Sequence, residues 1–124
     1  MDDCPEIAVV DDDEAIRVGL SSLLRSENYR VGLFDCAEAF LGSLAQAMPQ
    51  CLLTDIQLPG LSGLDLQFRM RVDHPELPVM VMTAFPSENA RQMALATGAI
   101  RFLSKPFSDG ELLDCLRSLL GRPR

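Results

Sequence analysis

Four short segments of this chain pair side chains that do chemistry with apolar runs that could hold them in place. Asp11-Asp12-Asp13 follows Ile7-Ala8-Val9-Val10, and Asp55 follows Cys51-Leu52-Leu53-Thr54. Thr83 follows Val79-Met80-Val81-Met82, and Lys105-Pro106 comes just after Ile100 to Leu103. If Asp11, Asp12 and Asp55 converge, three carboxylates share one crevice, and like charges that close either raise a pKa or recruit a cation. Hard oxygen ligands select Mg²⁺, Mn²⁺ or Ca²⁺ over zinc or copper. One or two carboxylates with waters and a phosphoryl oxygen is the usual Mg²⁺ arrangement. Lys105 adds a positive group and Thr83 a hydroxyl donor. A transferring phosphoryl group carries its charge on three equatorial oxygens, and its transfer depends mostly on positioning and electrostatics. One oxygen can go to the metal, one to Lys105 and one to Thr83. A carboxylate fills the remaining role of nucleophile by forming an aspartyl phosphate.

Lys105 is the single lysine among eleven basic residues, the other ten being arginine. A compact ammonium is not replaceable by a guanidinium. Arginine-rich codon usage explains the same count, so the count marks the position without deciding its role.

The elements that must position these groups follow from the pattern. The first, third and fourth apolar runs are nearly continuous, as strands buried on both faces of a parallel sheet are. Tyr29 to Phe34 and Ile100 to Leu103 are interrupted by Arg30, Gly32 and Arg101, as edge strands are. After each run comes a helical period: Ile16, Leu20, Leu23 and Leu24; Phe40, Leu41 and Leu44; Leu64 and Phe68; Met93 and Ala94; and Leu112 to Leu120. Ser108-Asp109-Gly110-Glu111 reads as a capping box, and Asp35-Cys36-Ala37-Glu38 as a looser one. Asn28 and Gly98 stand where left-handed caps end helices. Five βα units with right-handed crossovers predict an α/β fold: a doubly wound, five-stranded parallel sheet of order 2-1-3-4-5 with helices on both faces. Ligands of such sheets gather at the carboxyl ends of the strands, which is where the acids, the threonine and the lysine fall.

Composition agrees and excludes. With 124 residues the chain is one domain by length, and at 48% hydrophobic and 23% charged it is ordinary globular protein. Eighteen acids against eleven bases give −7, with no basic stripe for nucleic acid or an anionic membrane. A divalent cation or a basic partner surface fits better. Cys4, Cys36, Cys51 and Cys115 are far apart with no C-x-x-C, so neither zinc nor a redox pair is expected. No signal peptide or membrane span is visible, and the expected location is cytoplasmic. Asp13 reads as an N-cap, His74 as a surface residue, and Met70, Met80, Met82 and Met93 as core.

The five motifs together resemble the receiver domain of two-component response regulators. The matching residues are Val9-Val10-Asp11-Asp12-Asp13, Leu53-Thr54-Asp55-Ile56, Leu58-Pro59-Gly60-Leu61-Ser62-Gly63, Val81-Met82-Thr83-Ala84 and Phe102-Leu103-Ser104-Lys105-Pro106-Phe107. The Lys-Pro-Phe run and the Thr-Ala step are most similar to the nitrogen-fixation (FixJ) and LuxR-type branch. The resemblance implies a receiver over residues 1–121, with the start of a linker or tail at 122–124. It implies Asp55 as phosphoacceptor for a sensor histidine kinase. Mg²⁺, or Mn²⁺ in its place, would be ligated by Asp12, Asp55 and the backbone carbonyl of Gln57, with Asp11 acting through a water. Lys105 would neutralise the phosphoryl group, Thr83 and Phe102 would switch, and the Lys105–Pro106 bond would be cis, which an X–Pro bond adopts cheaply. Phe102 stands where a tyrosine would add a hydroxyl, so its switching must work by packing alone. Gln57, Ala84 and Phe85 would flank the acyl phosphate, and the bulk of Phe85 would slow water attack.

Such a module promotes its own phosphotransfer without being an enzyme in the turnover sense. Phosphorylation would alter the surface of the fourth helix, fifth strand and fifth helix, around Ile100, Arg91 and Arg101, to control an output or a homodimer. DNA would be reached only through an output domain beyond residue 124. Two other readings compete. A Mg²⁺-dependent phosphatase of the haloacid dehalogenase kind also forms an aspartyl phosphate, but Asp11-Asp12-Asp13-Glu14-Ala15 lacks its threonine and no room exists for a cap domain. A receiver-like binding module that is never phosphorylated would usually lack one of the acids or the lysine, all of which are present.

Overall fold

A computed structural model describes residues 5–120. The expected domain end at 121, the linker at 122–124 and Cys4 lie outside the described residues. Five strands alternate with five helices: β1 (Glu6–Val10), α1 (Glu14–Ser26), β2 (Arg30–Phe34), α2 (Ala37–Ser43), β3 (Cys51–Asp55), α3 (Gly63–Asp73), β4 (Val79–Thr83), α4 (Glu88–Ala96), β5 (Arg101–Ser104) and α5 (Asp109–Leu120). The strands form one parallel sheet in the order β2-β1-β3-β4-β5. Register sets the strand ends level. Val10 lies opposite Phe34 and Thr54, Asp55 opposite Met82, and Thr83 opposite Ser104.

The continuous apolar runs are explained by burial on both faces, because successive strand side chains point to opposite sides. Ile7, Val9, Cys51, Leu53, Met80 and Met82 join Leu24, Leu112 and Leu116 in the core under α1 and α5. Ala8, Val10, Leu52 and Val79 face the other way, onto Phe40, Leu66 and Met70 of α2 and α3. Val81 packs with Ala94 and Ala99, and Phe102 leans against that group. The interrupted strands β2 and β5 are the sheet edges, as their polar residues require.

The caps hold the helices at the site end. Asp13 accepts hydrogen bonds from the N–H groups of Ala15 and Ile16 at the start of α1. Ser62, Ser87 and Ser108 accept from Asp65, Ala90 and Glu111. Asn28 (φ 70°) and Gly98 (φ 104°) adopt the left-handed conformation beyond the ends of α1 and α4.

Three local expectations are corrected. Phe68 is exposed, and α3 instead turns Leu66, Gln67 and Met70 inward. Met93 is likewise exposed, while its neighbour Ala94 is the buried residue of α4. Asp35 does not cap α2; Cys36 holds that position without a side-chain hydrogen bond. Glu38, the expected partner in that box, accepts the Leu61 N–H across the β3–α3 loop instead.

Candidate functional site

At the carboxyl edge of the sheet the chain leaves β1 at Asp11, β3 at Asp55, β4 at Thr83 and β5 just before Lys105. Asp11 is fully buried and Asp55 nearly so, whereas Asp12 is exposed. Lys105 Nζ lies 2.7 Å from Asp11 Oδ2 and 2.9 Å from Asp55 Oδ2, bridging the two buried carboxylates. The other oxygen of each is taken by backbone two residues on. Asp11 Oδ1 accepts the Asp13 N–H at 2.9 Å, and Asp55 Oδ1 accepts the Gln57 N–H at 3.1 Å. Each carboxylate is therefore fixed at both ends.

The charges follow from this packing. Burial pushes the Asp55 carboxyl above the usual carboxylate range, partly opposed by the hydrogen bonds from Lys105 and Gln57 and reinforced by the Asp11 charge. For Lys105 burial acts against the ammonium, but the hydrogen bonds to Asp11 and Asp55 outweigh it and raise its pKa. The arrangement places one cation between two carboxylates.

Asp11, Asp12 and Asp55 each offer a carboxylate oxygen, and these oxygens all lie within 4.8 Å of one another. In the octahedron of Mg²⁺, with its ~2.1 Å bonds, neighbouring ligands stand about 3.0 Å apart and opposite ones about 4.2 Å. The three carboxylates are near enough for one small hard cation to draw them together, and their all-oxygen chemistry matches one. The residues present fit a divalent ion.

Thr83 is buried, and its hydroxyl donates to Gln57 Oε1 at 2.8 Å while accepting the Phe85 N–H at 3.0 Å. The sheet thus joins Thr83 to Gln57, not to Asp55. Ala84 and Phe85 are exposed above it, with Phe85 74% accessible. Phe102 is half-buried, beside a groove lined by Pro86, Glu88, Arg91 and Ser104. The Lys105–Pro106 peptide is cis, and the Lys105 N–H donates to Thr83 O at 2.8 Å. His74 lies at the far end of α3, 3.8 Å from Glu76.

Two residues of the site escaped sequence reasoning. Arg17 donates from Nη1 to Asp11 O at 2.7 Å, fastening the main chain behind the acid. Gly63 opens α3 against the strand end: a Cβ there would stand 1.9 Å from Asp55 O. The Leu58-Pro59-Gly60-Leu61-Ser62-Gly63 run carried the signal for Gly63. For Arg17 only its position one turn into a helix after the acids was visible.

Residues 7–117 match the family model described as response regulator receiver domain. The transcriptional regulatory protein FixJ of Bradyrhizobium diazoefficiens is 38% identical over 114 residues, covering 92% of this chain and 56% of FixJ. The phosphate regulon regulator PhoB of Rhizobium meliloti is 36% identical over 122 residues, covering 97% of this chain and 54% of PhoB. The chain spans about half the length of the curated relatives it matches. Among solved structures, the signal receiver domain of an HD domain-containing protein from Pseudomonas fluorescens Pf-5 superposes with a TM-score of 0.90 at 31% identity, covering 94% of both chains. The BeF₃-activated DrrB receiver domain superposes with a TM-score of 0.87 at 28% identity, covering 96% of this chain and 99% of its own.

Proposed function

This chain belongs to the response regulator receiver domains, the phosphoacceptor modules of two-component systems, and from that premise we propose that it is a phosphorylation-activated switch working through Asp55. The observation that carries this reading is the Lys105 bridge between Asp11 and Asp55, with Asp12 completing the carboxylate set. A sensor histidine kinase supplies the phosphoryl group. An Asp55 oxygen bonds to phosphorus as the phosphorus–nitrogen bond of the phosphohistidine breaks. The bond pair leaves with the imidazole, whose other nitrogen carries the proton that keeps the departing ring neutral. Asp12 and Asp55 by side chain, Gln57 by its carbonyl and Asp11 through a water would hold Mg²⁺ (or Mn²⁺), which when bound supplies charge neutralisation between the acids and the phosphoryl oxygens.

Lys105 exchanges its Asp55 contact for a phosphoryl oxygen. Thr83 gives up Gln57 and donates to another, and Phe102 packs into the space behind it. Gln57, Ala84 and Phe85 border the acyl phosphate and set water access. The α4–β5–α5 surface then changes, presenting Ile100, Arg91 and Arg101 to a second copy or an output. A two-state difference of a few kcal/mol is enough for such a shift.

Within the family we place the chain nearest the FixJ-like branch, supported by the 38% identity. PhoB and CheY-like neighbours share the same core, so the branch rests on that preference. Relatives named as transcriptional regulators, of which the matched region makes up 56% and 54%, support an output domain, through which DNA would be reached. One receiver unit to residue 121 and a cytoplasmic location belong to the same proposal. Among the described residues no helix is long and apolar enough to cross a membrane.

Intact mass after incubation with acetyl phosphate and Mg²⁺, beside Asp55→Asn, tests the reading. One phosphoryl adduct that requires Mg²⁺ and is absent from the variant is the expected result. No adduct on folded protein, with beryllofluoride also failing to bind, would establish the unphosphorylated binding module instead.

A further inference from the structure

Far from the carboxylates, in the seam between α3 and α4, Gln67 is 1% exposed. Its Nε2 donates to Ala94 O at 2.7 Å. That carbonyl also receives the Ala99 N–H at 3.0 Å, the bond that closes the C-terminal cap of α4 across Gly98 (φ 104°). The acceptor at Ala94 fixes which end of the amide is nitrogen, so Gln67 Oε1 points elsewhere, and no described residue donates to it. A buried carbonyl without a donor is costly, and native proteins answer such groups with protein or water. Gln67 lines a cavity of about 20 Å³, more than the ~10–15 Å³ that one water needs. The guanidinium of Arg71 packs over Gly98, where its Nη1 would stand 3.3 Å from an added Cβ, and both residues line that cavity with Gln67 and Thr97. Arg71 brings the donors and Gln67 the acceptor that a bound water requires.

We propose that the α3–α4 seam is a binding site for a single buried water held by Gln67 Oε1, and that Gln67 so completed is the pin that fastens the C-terminal end of α4 to α3. The second half rests on the switch reading above, because α4 is the element that reading asks to move. The pin sits at the end of α4 remote from Thr83. It ties to α3 the carbonyl that ends the helix, so displacement of α4 from its resting place must break or carry the Gln67 bond. Gln67 is a positioning residue: it touches neither the phosphoryl group nor the metal ligands. Its loss favours the displaced arrangement.

The experiment has two parts. The parent protein is crystallised at a resolution that shows waters, with density expected within hydrogen-bond distance of Gln67 Oε1. Gln67→Met, of equal length and apolar, is then compared with the parent by amide hydrogen exchange and by beryllofluoride titration. Exchange at Ala99 and Thr97 is expected to accelerate about fivefold to tenfold, the ratio one intramolecular hydrogen bond supports, while Val9 and Leu53 stay unchanged. The beryllofluoride concentration at half-response is expected to fall by a similar factor. Absence of water density overturns the site, whether or not the variant folds. Equal acceleration at all amides overturns the pin, since that is general destabilisation. A parent that never responds to beryllofluoride refutes the switch reading and leaves the water and the local exchange to be judged by themselves.

Discussion

Gly63→Ala sets two physical effects against each other at the base of the site. Alanine in a helix interior is favoured over glycine by about 1 kcal/mol, which is an upper limit at the first residue of α3, so propensity alone predicts a stabilised helix. The structure predicts the reverse. A Cβ at 63 would stand 1.9 Å from Asp55 O, 2.7 Å from Asp55 C and 2.8 Å from Ile56 Cα. All three are backbone atoms, and none is the end of a side chain that could swing away. Carbon and carbonyl oxygen settle at about 3.3 Å, so helix and strand end must separate by roughly 1.4 Å. That strains the 2.9 Å bond from the Gly63 N–H to Ile56 O. Overpacking costs about 1–3 kcal/mol and the lost bond about 1 kcal/mol. After the gain in propensity the net is a destabilisation of about 2 kcal/mol. The displaced group is the main chain of Asp55 itself, and ~1 Å of misplacement at a reacting group costs about 10²-fold in rate. Gly19→Ala is the control: it lies within α1, its Cβ meets nothing within 4 Å, and it should gain about 1 kcal/mol. Urea unfolding of both variants, with the rate of acetyl phosphate labelling by mass, reads the two effects. If Gly63→Ala is as stable as Gly19→Ala and is labelled at the parent's rate, the close approach does not position Asp55.

Three further outcomes are expected. Lys105→Met leaves the side chains of Asp11 (0% exposed) and Asp55 (8%) without their cation, at a cost of about 3–5 kcal/mol; millimolar Mg²⁺ should restore the variant more than it stabilises the parent in urea unfolding, and equal Mg²⁺ effects would refute the bridge. Burial pushes the Cys51 thiol up from 9.0 to about 12, so its contribution is intact below pH 9 and is lost as pH rises towards 12. The slope is about 1.4 kcal/mol per pH unit; Cys51→Ala should flatten it, and iodoacetamide mapping of the native protein should modify Cys36 while sparing Cys51 and Cys115. Phe85→Ala, removing an exposed ring beside Thr83, should shorten the phosphorylated lifetime in a dephosphorylation time course; an unchanged rate removes the ring from water control.

The sheet was legible because each strand carried its own signal. Three nearly unbroken apolar runs suit strands buried on both faces, as in the interior of a parallel sheet, and the polar residues of β2 and β5 belong to its edges. The carboxylates, Thr83 and Lys105 were legible because parallel strands bring their carboxyl ends to one edge. The inward face of α3 was not. Leu64, Leu66, Phe68, Met70 and Val72 alternate, so apolar residues four apart exist on both sides of the helix, Leu66 with Met70 and Phe68 with Val72. Packing on β3 and β4 chose the first pair and left the second exposed, a choice that local periodicity cannot register. The Thr83–Gln57 bond was hidden for a related reason. It joins residues 26 apart, and sequence spacing shows that two loops meet without showing which donor finds which acceptor.

The Lys105 bridge also dictates when the site comes into being. Its two arms reach across 94 and 50 residues, the longer spanning most of the described chain. In chain order both acids precede the ammonium that bridges them, which follows β5. A chain that stops before β5 has both acids and lacks the ammonium that lies between them in the completed fold. The charge arrangement at the carboxyl edge of the sheet is thus completed only with the last strand.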